Sequence, residues 1–278
     1  MKRRQKITHT IRDKWIDNWK CENERSSHYV SFIKTQDIKS LGSKSRTPDF
    51  AEPGQDRNFL STNERHFFYR LRFSMKYALI FEQYPLLSVE RAMAIAKKLG
   101  VRYPTYPYSG NVPVVMTSDF YCVTICGEKV VYAIKDEDAY LAKTEKQRQN
   151  EDNKLKIEKI FWESQGVAWH LIRSGELKNI FTQNLEQLFR AYNLNVEKSL
   201  LVPSWLKHFA EQIESSQQHQ LYVVLEQVSN RLGLSFFDSI LIFQHCVWHR
   251  KIIVDLSNQL IRYEKSVEEL NIKAAIYD

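Results

Sequence analysis

Glycine is scarce, with 8 in 278 residues, less than half of ordinary usage at roughly 7%. No two glycines stand close enough for a dinucleotide fingerprint or a phosphate-binding loop, which argues against nucleotide chemistry. The G-x-S-x-G elbow and the H-E-x-x-H helix are also missing, and two common hydrolase classes go with them. Cys21, Cys122, Cys126 and Cys246 are too few and too scattered for a disulfide framework, so reduced thiols are expected. No apolar run approaches the roughly 18 residues of a membrane span, and no membrane association is expected. The basic start, Met1 to Lys6, leads into Thr8, His9, Arg12 and Asp13 without an apolar leader region, and the expected location is cytoplasmic.

The chain does have ample apolar content, at 43%, beside 26% charged residues. That composition is globular, and the length suits about two domains. The net charge is +7, and the basic excess lies in the first 170 residues while the last hundred are close to neutral. A polyanion such as DNA would meet the first part more readily than the last.

Short apolar clusters and the Pro/Gly-containing stretch Ser40 to Asp56 suggest an arm and loops over residues 1–60. From Ser61 the spacing of Phe67, Phe68, Leu71, Met75, Ala78 and Leu79 predicts a helix, broken near Pro85 and resumed from Val89 to Leu99. Val114 to Ile125 and Val130 to Ile134 are β-branched and aromatic, and predict a hairpin. Lys143 to Ser164 reads as a charged helix ending at Gly166, and Val167 to Ile172 as a further strand. These elements make a mixed α/β domain over 61–172. Residues 173–278 carry four amphipathic stretches, with Lys251 to Leu256 as a possible short strand, and read as a smaller helical domain.

The chemistry concentrates in the hairpin. A three-residue loop centred on Gly127 would place Asp119 directly opposite Lys135, a carboxylate and an ammonium on one face of an apolar sheet. An ordinary cross-strand ion pair is the plain alternative. Glu64 opens the preceding helix and can reach the same strands, although Ser61 and Glu64 also spell a capping box. Two carboxylates and a lysine beside a sheet are what metal-assisted phosphodiester hydrolysis needs, with Mg²⁺ held by acidic oxygens and a backbone carbonyl.

The segments STNE (Ser61 to Glu64), FEQYPLL (Phe81 to Leu87), MTSDF (Met116 to Phe120), AIK (Ala133 to Lys135) and KLKIEKIFW (Lys154 to Trp162) resemble, in order and spacing, the TnsA endonucleases of Tn-seven-type transposons. The resemblance implies a restriction-endonuclease-like mixed sheet flanked by helices, followed by a small winged-helix-like domain that binds partners. It implies catalysis by Glu64, Asp119 and Lys135, with Mg²⁺ (or Mn²⁺) on Glu64, Asp119 and the Ile134 carbonyl. Glu158 occupies a position where the family also has an acidic residue, at the metal site or supporting it. The implied activity is cleavage of the 5′ ends of a transposon in double-stranded DNA, together with the TnsB transposase and the TnsC ATPase regulator. Ala133 departs from the family, which has Gln or Glu there, so metal ligation from that strand would rest on the Ile134 carbonyl, with Asp136 or Glu137 as candidates to compensate.

A stand-alone restriction or repair endonuclease with the same core is the competing enzyme reading. A non-catalytic DNA-binding regulator is the competing reading from another class. His245, Cys246 and His249 resemble zinc spacing but have no second pair, and read as helix residues. Trp15 and Trp19 read as a packing stripe, and Phe237, Ile240, Leu241 and Phe243 as core positions of a helix.

Overall fold

The computed structural model describes residues 6–37, 43–215 and 217–274. The chain forms two compact units: one from residues 1–49, 54–65 and 74–176, the other from 50–53, 66–73 and 177–278. In order, the elements reaching through the first unit are α1 (His9–Arg25), β1 (Ser45–Pro48), β2 (Asp56–Phe59), α2 (Thr62–Ser74), β3 (Tyr77–Pro85), α3 (Val89–Lys98), β4 (Thr117–Thr124), β5 (Lys129–Lys135), α4 (Glu137–Leu141), α5 (Glu145–Glu163) and β6 (Ala168–Arg173). They are followed by α6 (Ser174–Leu177), α7 (Ile180–Leu188), α8 (Val196–Ser215), α9 (Leu221–Leu232), α10 (Phe236–Trp248), β7 (Ile252–Ile253) and β8 (Lys273–Ala274).

The first unit is a mixed α/β fold. Its sheet has the order β3-β4-β5-β6, antiparallel except for the parallel pair β5/β6. A parallel pair needs a crossover, and α4 with α5 supplies it. On α3, Val89, Ala92, Ile95 and Ala96 form one stripe at helical spacing. They pack with Ile157, Phe161 and Trp162 of α5 and Ile16 of α1 against Tyr121 and Val131 of the sheet. Ser88 caps α3 by accepting from the Arg91 amide, and the Thr144/Gln147 capping box starts α5. Gly166 follows α5 at φ 73°, in the left-handed region.

Two elements differ from the sequence expectation. The supposed arm contains α1, a 17-residue helix fastened by Trp19, whose indole donates to the Val30 carbonyl at 2.7 Å. Trp19 is buried, as a packing position should be, while Trp15 is 40% exposed. The supposed extension of α2 past Met75 is the strand β3. Met75 has φ 55°, which ends the helix, and Tyr77 to Pro85 then pair with β4.

A buried charge cluster joins β2 to β3. Arg57 is fully buried, and its guanidinium donates to Asp49 at 2.8 Å, the Ile80 carbonyl at 2.7 Å and Glu82 at 3.2 Å. Glu82 in turn accepts from the Ser31 hydroxyl at 2.6 Å and the Asn58 amide at 3.1 Å.

The second unit is mainly helical. Trp205 of α8 stacks on Phe209 at 4.8 Å and donates to Ser239 of α10, whose hydroxyl donates to the Leu225 carbonyl of α9. The expected short strand within 251–256 is β7, two residues long and paired with β8. Ser239, Ile242, Phe243, Cys246 and Val247 of α10 are buried, but Phe237 is 66% exposed and is not a core residue. His245 and His249 place ring nitrogens on the Tyr192 carbonyl at 3.0 and 2.9 Å. Backbone carbonyls satisfy this pair.

Candidate active site

The β4/β5 hairpin turns through Ile125, Cys126 and Gly127, with the Thr124 amide donating to the Glu128 carbonyl. Gly127 is the third loop residue, at φ 83°, as three-residue hairpin loops require of their last position. The loop is therefore centred on Cys126. The ladder pairs Phe120 with Tyr132 and Val123 with Lys129; extended by one step, it sets Asp119 opposite Ala133. Asp119 and Lys135 are thus diagonal neighbours on one face rather than directly opposed, a correction of one residue in loop position.

The side chain of Asp119 takes over where the ladder between the two strands ends. Its Oδ2 accepts from the Ile134 amide at 2.6 Å. This fixes the carboxylate beside the backbone of the residue before Lys135. Ala133, on the same strand, is buried and brings no ligand atom.

Glu64, in the first turn of α2, is 6% exposed. Its Oε2 accepts from the Leu60 amide at 2.9 Å and from Gln83 Nε2 at 3.1 Å, and its Oε1 from the Ser61 hydroxyl at 2.9 Å. Ser61 Oγ accepts from the Glu64 amide at 3.2 Å. The capping motif is thus half formed, because the carboxylate reaches the amide of Leu60 and not that of Ser61. Burial, and then the negative charge of Asp119, push the Glu64 carboxyl up to about 8. Structural capping and closeness to Asp119 coexist in one side chain.

Glu158, on α5, is 5% exposed. Burial first and Asp119 second push its carboxyl up to about 7, while Ser118, Lys135 and Trp169 act in the other direction. Ser118 and Trp169 lie close enough to act on it, yet Glu158 Oε1 and Trp169 Nε1 complete no hydrogen bond. Lys135 is 29% exposed on its side chain. Burial depresses its pKa, but Asp119, Glu158, Glu151 and Glu64 together outweigh that and hold it above the ordinary lysine value. Three carboxylates named from the sequence therefore surround one lysine.

Asp136 and Glu137, the candidates to compensate for Ala133, make other contacts in this structure. Asp136 caps α4 through the Ala139 amide at 2.8 Å and accepts from Asn63 at 2.8 Å; Glu137 lies in α4 itself and its amide donates to Ser174.

Other participants were not legible in the sequence. Gln83, at φ 50°, donates to Glu64 and accepts from the Thr117 hydroxyl at 3.1 Å. Glu151 of α5 lies 3.9 Å from Lys135 and is bound by Lys143. A groove of about 730 Å³, lined in part by Lys135, Glu151 and Glu158, runs beside this cluster.

The charge of this cluster would suit a divalent cation. Two carboxylates close enough to repel each other, with a third holding a buried oxygen without a hydrogen bond, form a site whose charge favours a dication or protons. Among the described residues no group of three or more His, Cys, Asp or Glu side chains is arranged to hold a metal ion. A centre here would use two carboxylates and backbone or solvent oxygens, the ordinary manner of Mg²⁺.

No helix among the described residues is long and apolar enough to cross a membrane. No curated protein matches the chain. Residues 78–174 match the family model described as TnsA-like endonuclease N terminal. Asp119, Ile134, Lys135 and Glu158 lie within that stretch and Glu64 ahead of it. The sheet, the hairpin and the acidic cluster around Lys135 thus lie in or against the stretch that matches this model, so residues 78–174 are similar to a TnsA-like endonuclease N-terminal domain.

Proposed function

We propose that the chain is a Mg²⁺-dependent DNA endonuclease that cuts the 5′ ends of a transposon within a heteromeric transposase. The observation that carries this reading is the gathering of Glu64, Asp119 and Glu158 around Lys135, inside or beside the matched domain. Glu64, Asp119 and the Ile134 carbonyl would hold the metal, for which Mn²⁺ can substitute. When bound, the metal supplies charge stabilisation for the attacking and leaving oxygens of phosphodiester hydrolysis. Asp119 is held for this role by the Ile134 amide, and Glu64 by Gln83, Ser61 and Leu60. Lys135 orients the attacking water and offsets charge on the phosphate, since an ammonium cannot ligate a cation. Glu158 sets the local field on Lys135 from the α5 side.

Replacing Lys135 by Ala separates these roles. Mn²⁺ binding measured by calorimetry should stay near wild type, while cleavage should drop at least about a hundredfold, the size of one lost electrostatic stabiliser. Loss of Mn²⁺ binding would make Lys135 a structural strut of the site. Near-normal cleavage would move the catalytic cation elsewhere.

Partnership with TnsB and TnsC belongs to the same proposal, and the second unit supports it. Val196 and Leu200 stand one turn apart on α8 and are 77% and 76% exposed; Phe237 of α10 is 66% exposed. Lys198 and Asp238, paired at 3.0 Å, tie the two helix starts together. Apolar side chains presented in this way suit a protein partner. The order α8, α9, α10, β7, β8 is compatible with a winged-helix-like domain. Leu200→Glu should weaken TnsC capture at least about tenfold in a pull-down without altering the thermal transition. Unchanged capture would place the partner surface elsewhere.

A further inference from the structure

The groove beside the acidic cluster has two unlike walls. One is a face of α5, where Gln147, Asn150, Lys154 and Glu158 recur at intervals of three and four and so point the same way. The other is apolar, formed by Pro104, Val114 and Met116 among others. Lys135 lies 3.9 Å from Glu151, in the middle of the α5 face, and close enough to Glu158 to act on it. Lys154 is exposed, and the negative charge of Glu151 is met by Lys143 and Lys135. The α5 wall therefore offers neutral donors and cations where it leaves the catalytic cluster. The distance from Gln147 to Lys154 along the helix is about 10 Å at 1.5 Å per residue, the length of about three nucleotides at 3.4 Å each.

We propose that this wall of α5 holds the sugar-phosphate backbone of the strand being cut, on one side of the scissile phosphate. Lys154 and Asn150 are positioning residues for that strand: they donate to phosphate oxygens, and the apolar wall packs against the sugars. Contacts of this kind position a duplex without reading its bases. The inference rests on the nuclease reading of the same site, and it adds which surface carries the strand.

The test is binding of a fluorescent duplex to the full chain by anisotropy, with Ca²⁺ replacing Mg²⁺ so that nothing is cut, over a range of salt concentrations. Lys154→Gln should weaken binding about five- to tenfold near 0.1 M salt, equally for unrelated sequences, and lower the salt slope by about 0.9. Asn150→Asp should weaken it in the same direction. Lys156→Gln removes the same charge from an exposed position on α5 that does not line the groove. It should change affinity less than twofold. Equal effects at positions 154 and 156, or none at either, would overturn the inference while leaving the nuclease reading standing. A wild-type chain that binds no DNA would overturn both.

Discussion

Asp119→Asn should reduce DNA cleavage by at least about 10³-fold while making the metal-free protein more stable at pH 8. The first effect follows because, among the described residues, Asp119 is the carboxylate whose charge acts on both Glu64 and Glu158 and also on Lys135. On the proposed reading, losing it removes a metal oxygen and weakens the field on the lysine together, so the loss should exceed that of one hydrogen-bond donor, about 10²–10³. The second effect has a definite sign. Glu64, pushed up to about 8 from 4.5, binds more protons folded than unfolded between those values. Its ionisation therefore lowers stability as pH rises through about 4.5 to 8. Removing the Asp119 charge relieves part of that penalty, and so does Glu64→Gln. For Glu64→Gln the metal-free Tm should exceed wild type by at least about 2 °C at pH 8, the shift produced by about 1 kcal/mol, and the difference should shrink toward pH 5. A variant less stable than wild type at pH 8, with the difference constant in pH, would show that the Gln83 and Ser61 hydrogen bonds outweigh the repulsion.

The largest effect on folding is expected from Arg57→Met. The guanidinium is fully buried among Asp49, Glu82 and the Ile80 carbonyl. Methionine is similar in length but leaves two buried carboxylates without the cation that meets them, a loss of about 3–5 kcal/mol. Tm should drop on the order of 10 °C. Arg57→Lys should recover only part of this, because one ammonium cannot reproduce the fork toward three partners. The cluster ties β2 and the Ser31 segment to Glu82, next to Gln83, which donates to Glu64. Cleavage at low temperature should therefore weaken with stability. If Arg57→Met shifted Tm by less than about 2 °C, the cluster would be dispensable and Gln83 held by the sheet alone.

The parts of this site that were legible in the sequence are those set by local chemistry. Asp119 and Lys135 lie on strands announced by β-branched and aromatic runs, and both stand an odd number from the turn. An error of one residue in the loop centre moves the register by two and leaves every side chain on its own face. That is why the shared face survived while the opposition of Asp119 and Lys135 did not. Glu64 was legible as a helix-start carboxylate, because S-x-x-E is a local signal. The strand β3 was not, because Met75, Ala78 and Leu79 continue the helical spacing of α2, and only the left-handed backbone at Met75 ends it. Gln83 was hidden for a related reason: its role depends on φ 50°, which no glutamine announces. Glu151 and Lys143 were legible only as part of a charged helix. The approach of Lys135 and Lys143 to Glu151 is a product of the β5-α5 crossover, which a linear spacing does not display. Phe237 matched a core spacing on α10 and is nonetheless exposed, since periodicity alone does not say which positions of a helix end are covered.

The most direct test of the central claim is a strand-cleavage assay on duplex DNA carrying a labelled transposon end, with TnsB, TnsC and Mg²⁺ present, comparing the wild-type chain with Asp119→Asn. Cleavage of the 5′ strand by the wild type, lost on chelation of Mg²⁺ and reduced at least about 10³-fold in Asp119→Asn, is the expected result. Cleavage of the 5′ strand at the same rate by both chains would contradict it, because the cut would then be made by groups other than the cluster around Lys135.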